Sequence, residues 1–202
     1  MERSNINNFI IEKNRCTGCE ACANSCPVNA ISFEFDKNGF KYPSINMKLC
    51  TGCNICRNVC YSRLENKHND YEKQVFASRT NNQEVRFFST SGGAFTELAN
   101  TILGSGGYIV GAQYKSPFEI SHCIISKKEE LHKIQQSKYV QSSINDVYQD
   151  IKKLLIDKKT VLFCGAPCQV AGLKSFLNKE YKNLYTIDFI CRGISSPVAY
   201  KY

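Results

Sequence analysis

The sequence predicts a small α+β unit followed by an α/β unit with a largely parallel sheet. Three observations carry that expectation. Eight of the 12 cysteines fall in two matching runs between residues 16 and 60. A strand–turn–strand pattern separates the runs, and beyond residue 73 short apolar strands alternate with helical segments.

The first run is Cys16, Cys19, Cys22 and Cys26; the second is Cys50, Cys53, Cys56 and Cys60. Each reads C-x2-C-x2-C-x3-C, and each member of the second lies 34 residues after its counterpart. This is the spacing of bacterial two-cluster ferredoxins, in which three cysteines wrap one [4Fe–4S] cluster and the fourth ligates the other. The expected ligand sets are therefore Cys16, Cys19, Cys22 and Cys60 for cluster 1, and Cys50, Cys53, Cys56 and Cys26 for cluster 2. Pro27 follows Cys26 as the pattern expects, whereas Tyr61 stands at the equivalent place after Cys60. Gly18 and Gly52 sit inside the ligand loops, where a positive φ lets the backbone approach sulfur closely. Disulfides are disfavoured because Met1–Asn5 lacks a basic start and an apolar stretch, and structural zinc uses separated pairs of ligands.

Between the runs, Ala30–Phe35 alternates as a strand, Asp36–Gly39 reads as a turn and Phe40–Tyr42 as the hairpin partner before Pro43. Ile31, Phe33 and Ile45 are expected to keep water off the clusters. The fold class is thus an α+β two-cluster ferredoxin-like domain over residues 1–61, a polar linker over 62–72 and an α/β domain over 73–202.

In the second unit the pattern predicts a strand at Gln74–Ala77, a helix at Ala94–Leu103, and strands at Tyr108–Tyr114 and Cys123–Ile125. Lys127–Gln136 is helical in composition. In Asp146–Ile156, Val147, Ile151, Leu154 and Leu155 share one face, and Asp146 and Gln149 are placed as a capping box. Thr160–Cys164 is a buried strand, Gln169–Leu177 a helix and Leu184–Ile190 a last strand.

Three polar segments punctuate this scaffold. Ser91, Gly92, Gly93 and Ala94 precede a helix whose N-terminus suits a phosphate, with a serine/glycine helix cap as the alternative. Lys138 can neutralise a phosphate and Tyr139 can stack on a flat ring, unless the segment is a surface turn. Cys168 follows a buried strand and opens a helix, a position that favours a thiolate for redox or metal work. Cys123 and Cys164, flanked by apolar residues, read as packed thiols. His68, His122 and His132 show no partner spacing.

A net charge of +8, 26 basic against 18 acidic residues, reads mainly as a solvated surface with some attraction for anionic partners. No basic, aromatic-rich stripe points to nucleic acid, and no run of apolar residues is long enough for a membrane span. So many cysteines fit the reducing cytoplasm.

The segments STSGGAFTELA, VGAQY, SKYVQS, LFCGAPCQVAGLKSFL and IDFICRGISSP occur in that order behind the cysteine runs. Together they resemble the coenzyme F420 hydrogenase/dehydrogenase beta-subunit family, which includes the plant 7-hydroxymethyl chlorophyll a reductase. The resemblance implies an FAD-containing oxidoreductase subunit, with flavin at Ser91–Ala94 and Lys138–Tyr139. It also implies a redox donor or acceptor such as ferredoxin or reduced F420, and a partner subunit. Two departures stand out. Cys191-Arg-Gly193 replaces the family's CHG, and the chain ends at Tyr202 where the family continues, so the α/β domain reads as incomplete. Cys168 and Cys191 are an additional redox or metal pair under this reading. The rival reading is an electron-transfer protein of ferredoxin type with a non-catalytic appendage; a zinc-dependent interaction module is a third.

Overall fold

The computed structural model describes residues 10–64, 74–117 and 119–200. The chain's 34-residue repeat is built into its backbone. Helix α1 (Ala21–Asn24) and helix α2 (Ile55–Asn58) occupy equivalent positions of the two cysteine runs. Each is preceded by a residue in the left-handed region, Glu20 at φ 60° and Asn54 at φ 62°. Gly18 and Gly52 repeat the same device two residues earlier, at φ 68° and 73°. Strands β1 (Ile31–Phe35) and β2 (Lys41–Ile45) pair antiparallel between the runs, with Phe33 opposite Pro43. Asp36 closes the turn by accepting from the backbone N–H groups of Asn38 and Phe40.

The expected linker over 62–72 begins inside a 3-10 turn, Tyr61–Arg63, and residues from 65 to 73, His68 among them, lie outside the described residues. Gln74–Ala77 is not a strand: the segment is irregular and Val75 and Phe76 are exposed, because no neighbouring strand offers it a ladder. Helix α3 (Gln83–Phe87) follows, capped by the Asn82 side chain, which accepts from the Glu84 and Val85 N–H groups.

The second unit is a four-stranded sheet in the order β4-β3-β5-β6. Its strands are β3 (Tyr108–Ser116), β4 (Glu119–Ile125), β5 (Val161–Gly165) and β6 (Leu184–Asp188). The β3–β5 and β5–β6 pairs are parallel and β3–β4 is antiparallel, so the sheet is mixed where a largely parallel one was expected. The short connection between β3 and β4 permits only a hairpin. Strand β6 ends at Asp188, and Phe189 and Ile190 are exposed beyond it.

Helix α4 (Ala94–Gly104) and a 3-10 turn at Lys128–Lys133 cover one face of the sheet. That turn is all that forms of the helix expected over Lys127–Gln136. Helices α5 (Val147–Ile156) and α6 (Pro167–Leu177) cover the other face. The expected capping box of α5 is absent: Asp146 makes no side-chain cap, and the Gln149 amide reaches away to donate to Asn24 O at 3.1 Å. It is α6 that has its N-terminal N–H satisfied by a glutamine, since Gln169 Oε1 accepts from Ala166 N at 3.0 Å.

The hydrophobic core is continuous across both units. Ile10, Ile11, Ala21, Cys22 and Ile45 belong to the same buried cluster as Tyr148, Ile151, Phe163 and Leu173. Polar bonds seal this junction. Asn145 N donates to Glu20 Oε2 at 2.7 Å, Asn24 Nδ2 to Asn145 O at 2.7 Å, Ser175 Oγ to Val59 O at 2.7 Å, and Lys41 N to Gln141 Oε1 at 2.9 Å.

Candidate iron–sulfur centres

The cysteines ring two cavities, and the pairing crosses between runs. One cavity, about 330 Å³ with its open mouth included, is lined by Cys16, Cys19, Cys22 and Cys60, together with Ile10, Ile11 and Phe33. The other, about 360 Å³, is lined by Cys50, Cys53, Cys56 and Cys26, together with Ile31 and Ile45. Each ring takes its fourth cysteine from the opposite run. Each run's third cysteine lies in its short helix, Cys22 in α1 and Cys56 in α2, and its fourth follows that helix.

Electrostatics report the same grouping. Burial pushes the Cys19 thiol up to about 12, and lifts Cys16, Cys22, Cys56 and Cys60 in the same direction. The neighbouring thiols add to this effect: Cys60 acts on Cys16, and Cys50, Cys53 and Cys26 act on Cys56. Cys56, of the other ring, also adds to the raised pKa of Cys22. Four desolvated thiols around one cavity ionise together only against compensating positive charge, which bound iron supplies.

Backbone N–H groups aim at the sulfurs. Ala30 N donates to Cys26 Sγ at 3.2 Å. Ala21 bonds Cys19, and 34 residues on Ile55 bonds Cys53, where this bond is the main cause of a lowered thiol pKa. Such bonds to sulfur are one of the determinants of cluster potential. Among the described residues no three His, Cys, Asp or Glu side chains converge on a point suited to a single metal ion. Ligands ringing a cavity suit a cluster of several irons, and the residues present fit [4Fe–4S].

The two rings differ in their surroundings. Gly18 is buried, and a Cβ there would stand 2.5 Å from Gln141 Nε2; nothing lies within 4 Å of the same position on Gly52. Helix α6 presses its Gly172 on the first loop, where an added Cβ would meet Cys19 Sγ at 3.0 Å and Tyr148 Oη at 3.3 Å. Cys168, one helical turn earlier on that face, is hydrogen-bonded to the Thr17 side chain. Tyr61, where the motif expects proline, donates to Thr17 Oγ1 at 3.0 Å and so completes the lid over this loop. Burial raises the Cys168 thiol, and Cys191 is the next cause. The Cys168 thiol in turn adds to the raised pKa of Cys16 and Cys19, while Cys191 is exposed, with its sulfur 3.6 Å from Gly193 O.

Sequence reasoning missed Glu20, Asn145, Tyr148 and Gly172. Glu20 is buried at the junction, and burial raises its carboxyl to about 7 against the lowering effect of the Asn145 N–H. Tyr148 is fully buried, donates to Gln169 O at 2.7 Å and stacks edge-on to Phe163. For Glu20, Asn145 and Gly172 the signal lies in contacts more than 100 residues apart, which no local pattern carries. His122, given no role from sequence, is a core residue: its ring stacks on Phe163 and its Nε2 lies 3.3 Å from Cys164 O. Cys123 and Cys164 are half-buried on the opposite sheet face, and burial raises Cys164 to about 11.

At the expected flavin segments, Gly92 packs against Ser78 O, and Gly93, at φ 85°, packs against Thr80. Arg86 donates to Ser91 O at 2.6 Å. Lys138 Nζ donates to Gln135 O at 2.5 Å, and Tyr139 is exposed. Gln135 Nε2 donates to Thr96 Oγ1 at 3.1 Å, a bond between the first turn of α4 and the chain just before Lys138.

Residues 15–63 match the 4Fe-4S dicluster domain family. No curated protein matches the chain. Among solved structures, a chain of the F420-reducing [NiFe] hydrogenase complex from Methanosarcina barkeri, in its xenon derivatization, is similar with a TM-score of 0.50 and 17% identity. The likeness covers 61% of this chain and 45% of that one, so this chain spans under half the length of the structure it resembles. At that identity the likeness is one of fold. Among the described residues no helix is long and apolar enough to cross a membrane.

Proposed function

We propose that cluster 1 is held by Cys16, Cys19, Cys22 and Cys60 and cluster 2 by Cys50, Cys53, Cys56 and Cys26, in a chain that forms part of an iron–sulfur flavoprotein oxidoreductase. The dicluster domain makes electron transfer its task. The observation that supports the ligand sets is the crossed lining of the two cavities. When bound, each cluster accepts and releases one electron. The chain's own residues exclude water with Ile10, Phe33, Ile31 and Ile45, aim N–H groups at sulfur, and clamp the first loop on α6.

Substitution tests the pairing. Cys60→Ala should give the same change in the electron paramagnetic resonance spectrum of the reduced protein as Cys16→Ala, and Cys26→Ala the same as Cys50→Ala. Matching changes within a run, Cys60→Ala with Cys50→Ala, would overturn the crossed assignment.

Flavin binding is supported by a separate observation: the Gln135–Thr96 bond joins the first turn of α4, just after Ser91–Ala94, to the chain just before Lys138 and Tyr139. On this reading Ser91–Ala94 at the N-terminus of α4 would hold the phosphates of FAD, Lys138 would neutralise them and Tyr139 would stack on the ring system, and the flavin would supply two-electron chemistry. A partner subunit, and a carrier such as ferredoxin or reduced F420, complete the proposed system. Acid precipitation of the purified protein should release one flavin per chain; a colourless, non-fluorescent supernatant would leave the electron-transfer protein without flavin catalysis.

A further inference from the structure

The two cysteine loops are equivalent in sequence and unequal in setting, and the inequality has a direction. In the first loop Gly18, Glu20 and Ala21 are buried, Ala21 completely, under Gln141, Asn145 and α6. In the second loop all five residues from Thr51 to Ile55 are exposed, Cys53 among them. The positions that in the first loop receive the α/β unit are left bare in the second. Ile55, equivalent to Ala21, is 41% exposed, and Leu49, beside Cys50, is 52% exposed. Val28, on the lining of the same cavity, is exposed as well.

Charge is divided in the same way. From Lys37 to Leu64 the chain carries five basic residues, Lys37, Lys41, Lys48, Arg57 and Arg63, and no acidic residue; Lys48 and Arg57 flank the Thr51–Ile55 loop, whereas Lys41 donates to Ser143 Oγ and Arg63 to Ile10 O, away from it. From Ile10 to Asp36 it carries four acidic residues, Glu12, Glu20, Glu34 and Asp36, against Lys13 and Arg15. A bare apolar rim set in a basic segment suits an acidic partner, since complementary charge steers encounter and a small apolar contact gives short-lived docking.

We propose that the Thr51–Ile55 face, with Leu49 and Val28, is the docking surface for an acidic one-electron carrier protein, which makes cluster 2 the outer terminus and cluster 1 the inner one. This deepens the cluster assignment above and rests on it. In the exchange, one electron passes from the reduced carrier to cluster 2; the carrier is oxidised, the cluster reduced, and no bond or proton changes hands.

The test uses the full chain with clusters loaded and a small two-[4Fe–4S] ferredoxin of net negative charge as the probe. Binding is measured by calorimetry at low and moderate salt. The wild-type chain should bind, more weakly as salt rises. Leu49→Glu should weaken binding at least about tenfold, the loss expected of a repulsive charge in a small contact. Leu49→Lys should keep or strengthen it, which a merely disrupted loop would not do. Ile156→Glu, an exposed apolar position on α5 away from the clusters, should stay within about twofold as an ordinary surface change. If Leu49→Glu loses iron, Val28→Glu takes its place. No measurable binding by the wild-type chain, or a Leu49→Glu affinity equal to wild type, would overturn the proposal. A dimer of the chain that Leu49→Glu dissolves would overturn it in favour of a second copy. A wild-type chain that takes up no iron would remove the cluster assignment itself, and iron analysis shows this before any binding is measured.

Discussion

Gly172→Ala measures how tightly α6 holds the first cysteine loop. The new methyl would sit 3.0 Å from Cys19 Sγ, 3.1 Å from Cys19 Cβ and 3.3 Å from Tyr148 Oη. Cys19 is a proposed ligand and Tyr148 is fully buried, so neither neighbour can swing aside into solvent. Overpacking of this kind costs about 1–3 kcal/mol. Replacing a mid-helix glycine by alanine returns about 1 kcal/mol of helix propensity. The balance is a loss of about 1 kcal/mol, roughly 2–4 °C in melting temperature for a chain of this size. Gly104, the last residue of α4, supplies the opposite sign, because nothing lies within 4 Å of its added Cβ. Gly104→Ala should therefore gain about 0.5–1 kcal/mol. Thermal unfolding of the cluster-loaded proteins, followed by circular dichroism and visible absorbance at one scan rate, gives both numbers. Gly172→Ala should also perturb the absorbance of cluster 1. A Gly172→Ala protein as stable as Gly104→Ala, with an unchanged visible spectrum, would refute the close contact between α6 and the Cys19 loop.

Other consequences are equally open to measurement. His122 is held neutral by burial, its pKa lowered to about 4 from 6.5, so the unfolded chain binds the extra proton between those values. Stability present above pH 6.5 is therefore lost as pH falls, by about 1.4 kcal/mol per unit while folded His122 remains neutral. His122→Phe, which keeps a ring against Phe163, should flatten urea-denaturation stability between pH 6.5 and 5. Glu20 has the opposite sign: its carboxyl is raised to about 7 by burial, so its contribution is full below its unfolded pKa and is lost as pH rises through 7. Glu20→Gln should remove that decline and leave the bond from Asn145 in place. Phe163 is fully buried between His122 and Tyr148, and Phe163→Ala should cost about 3–5 kcal/mol in the same denaturation assay.

The parts of this protein that were legible in the sequence are those where chemistry acts over short distances. Four sulfurs around one small cavity dictate the spacing of Cys16 to Cys26 and of Cys50 to Cys60, and Asp36–Gly39 states its turn with its own side chain. The central strands were legible too, since Val161–Phe163 are apolar on both faces. Gln74–Ala77 has a strand's composition and no partner to pair with. Gln149 has the spacing of a cap and is drawn to Asn24, a residue 125 positions earlier. The burial of Glu20 and the contact of Gly172 with Cys19 follow from how α6 lies on the first loop, and neither residue announces it locally. The inequality of the two loops was hidden for the same reason: their motifs are alike, and only the packed chain covers one of them.

Two cubane clusters in crossed cysteine rings are the central proposal for this chain. Iron and acid-labile sulfide analysis of the anaerobically purified chain tests it most directly. About eight of each per chain is the result expected of two [4Fe–4S] clusters. Stoichiometric zinc with no labile sulfide would contradict it.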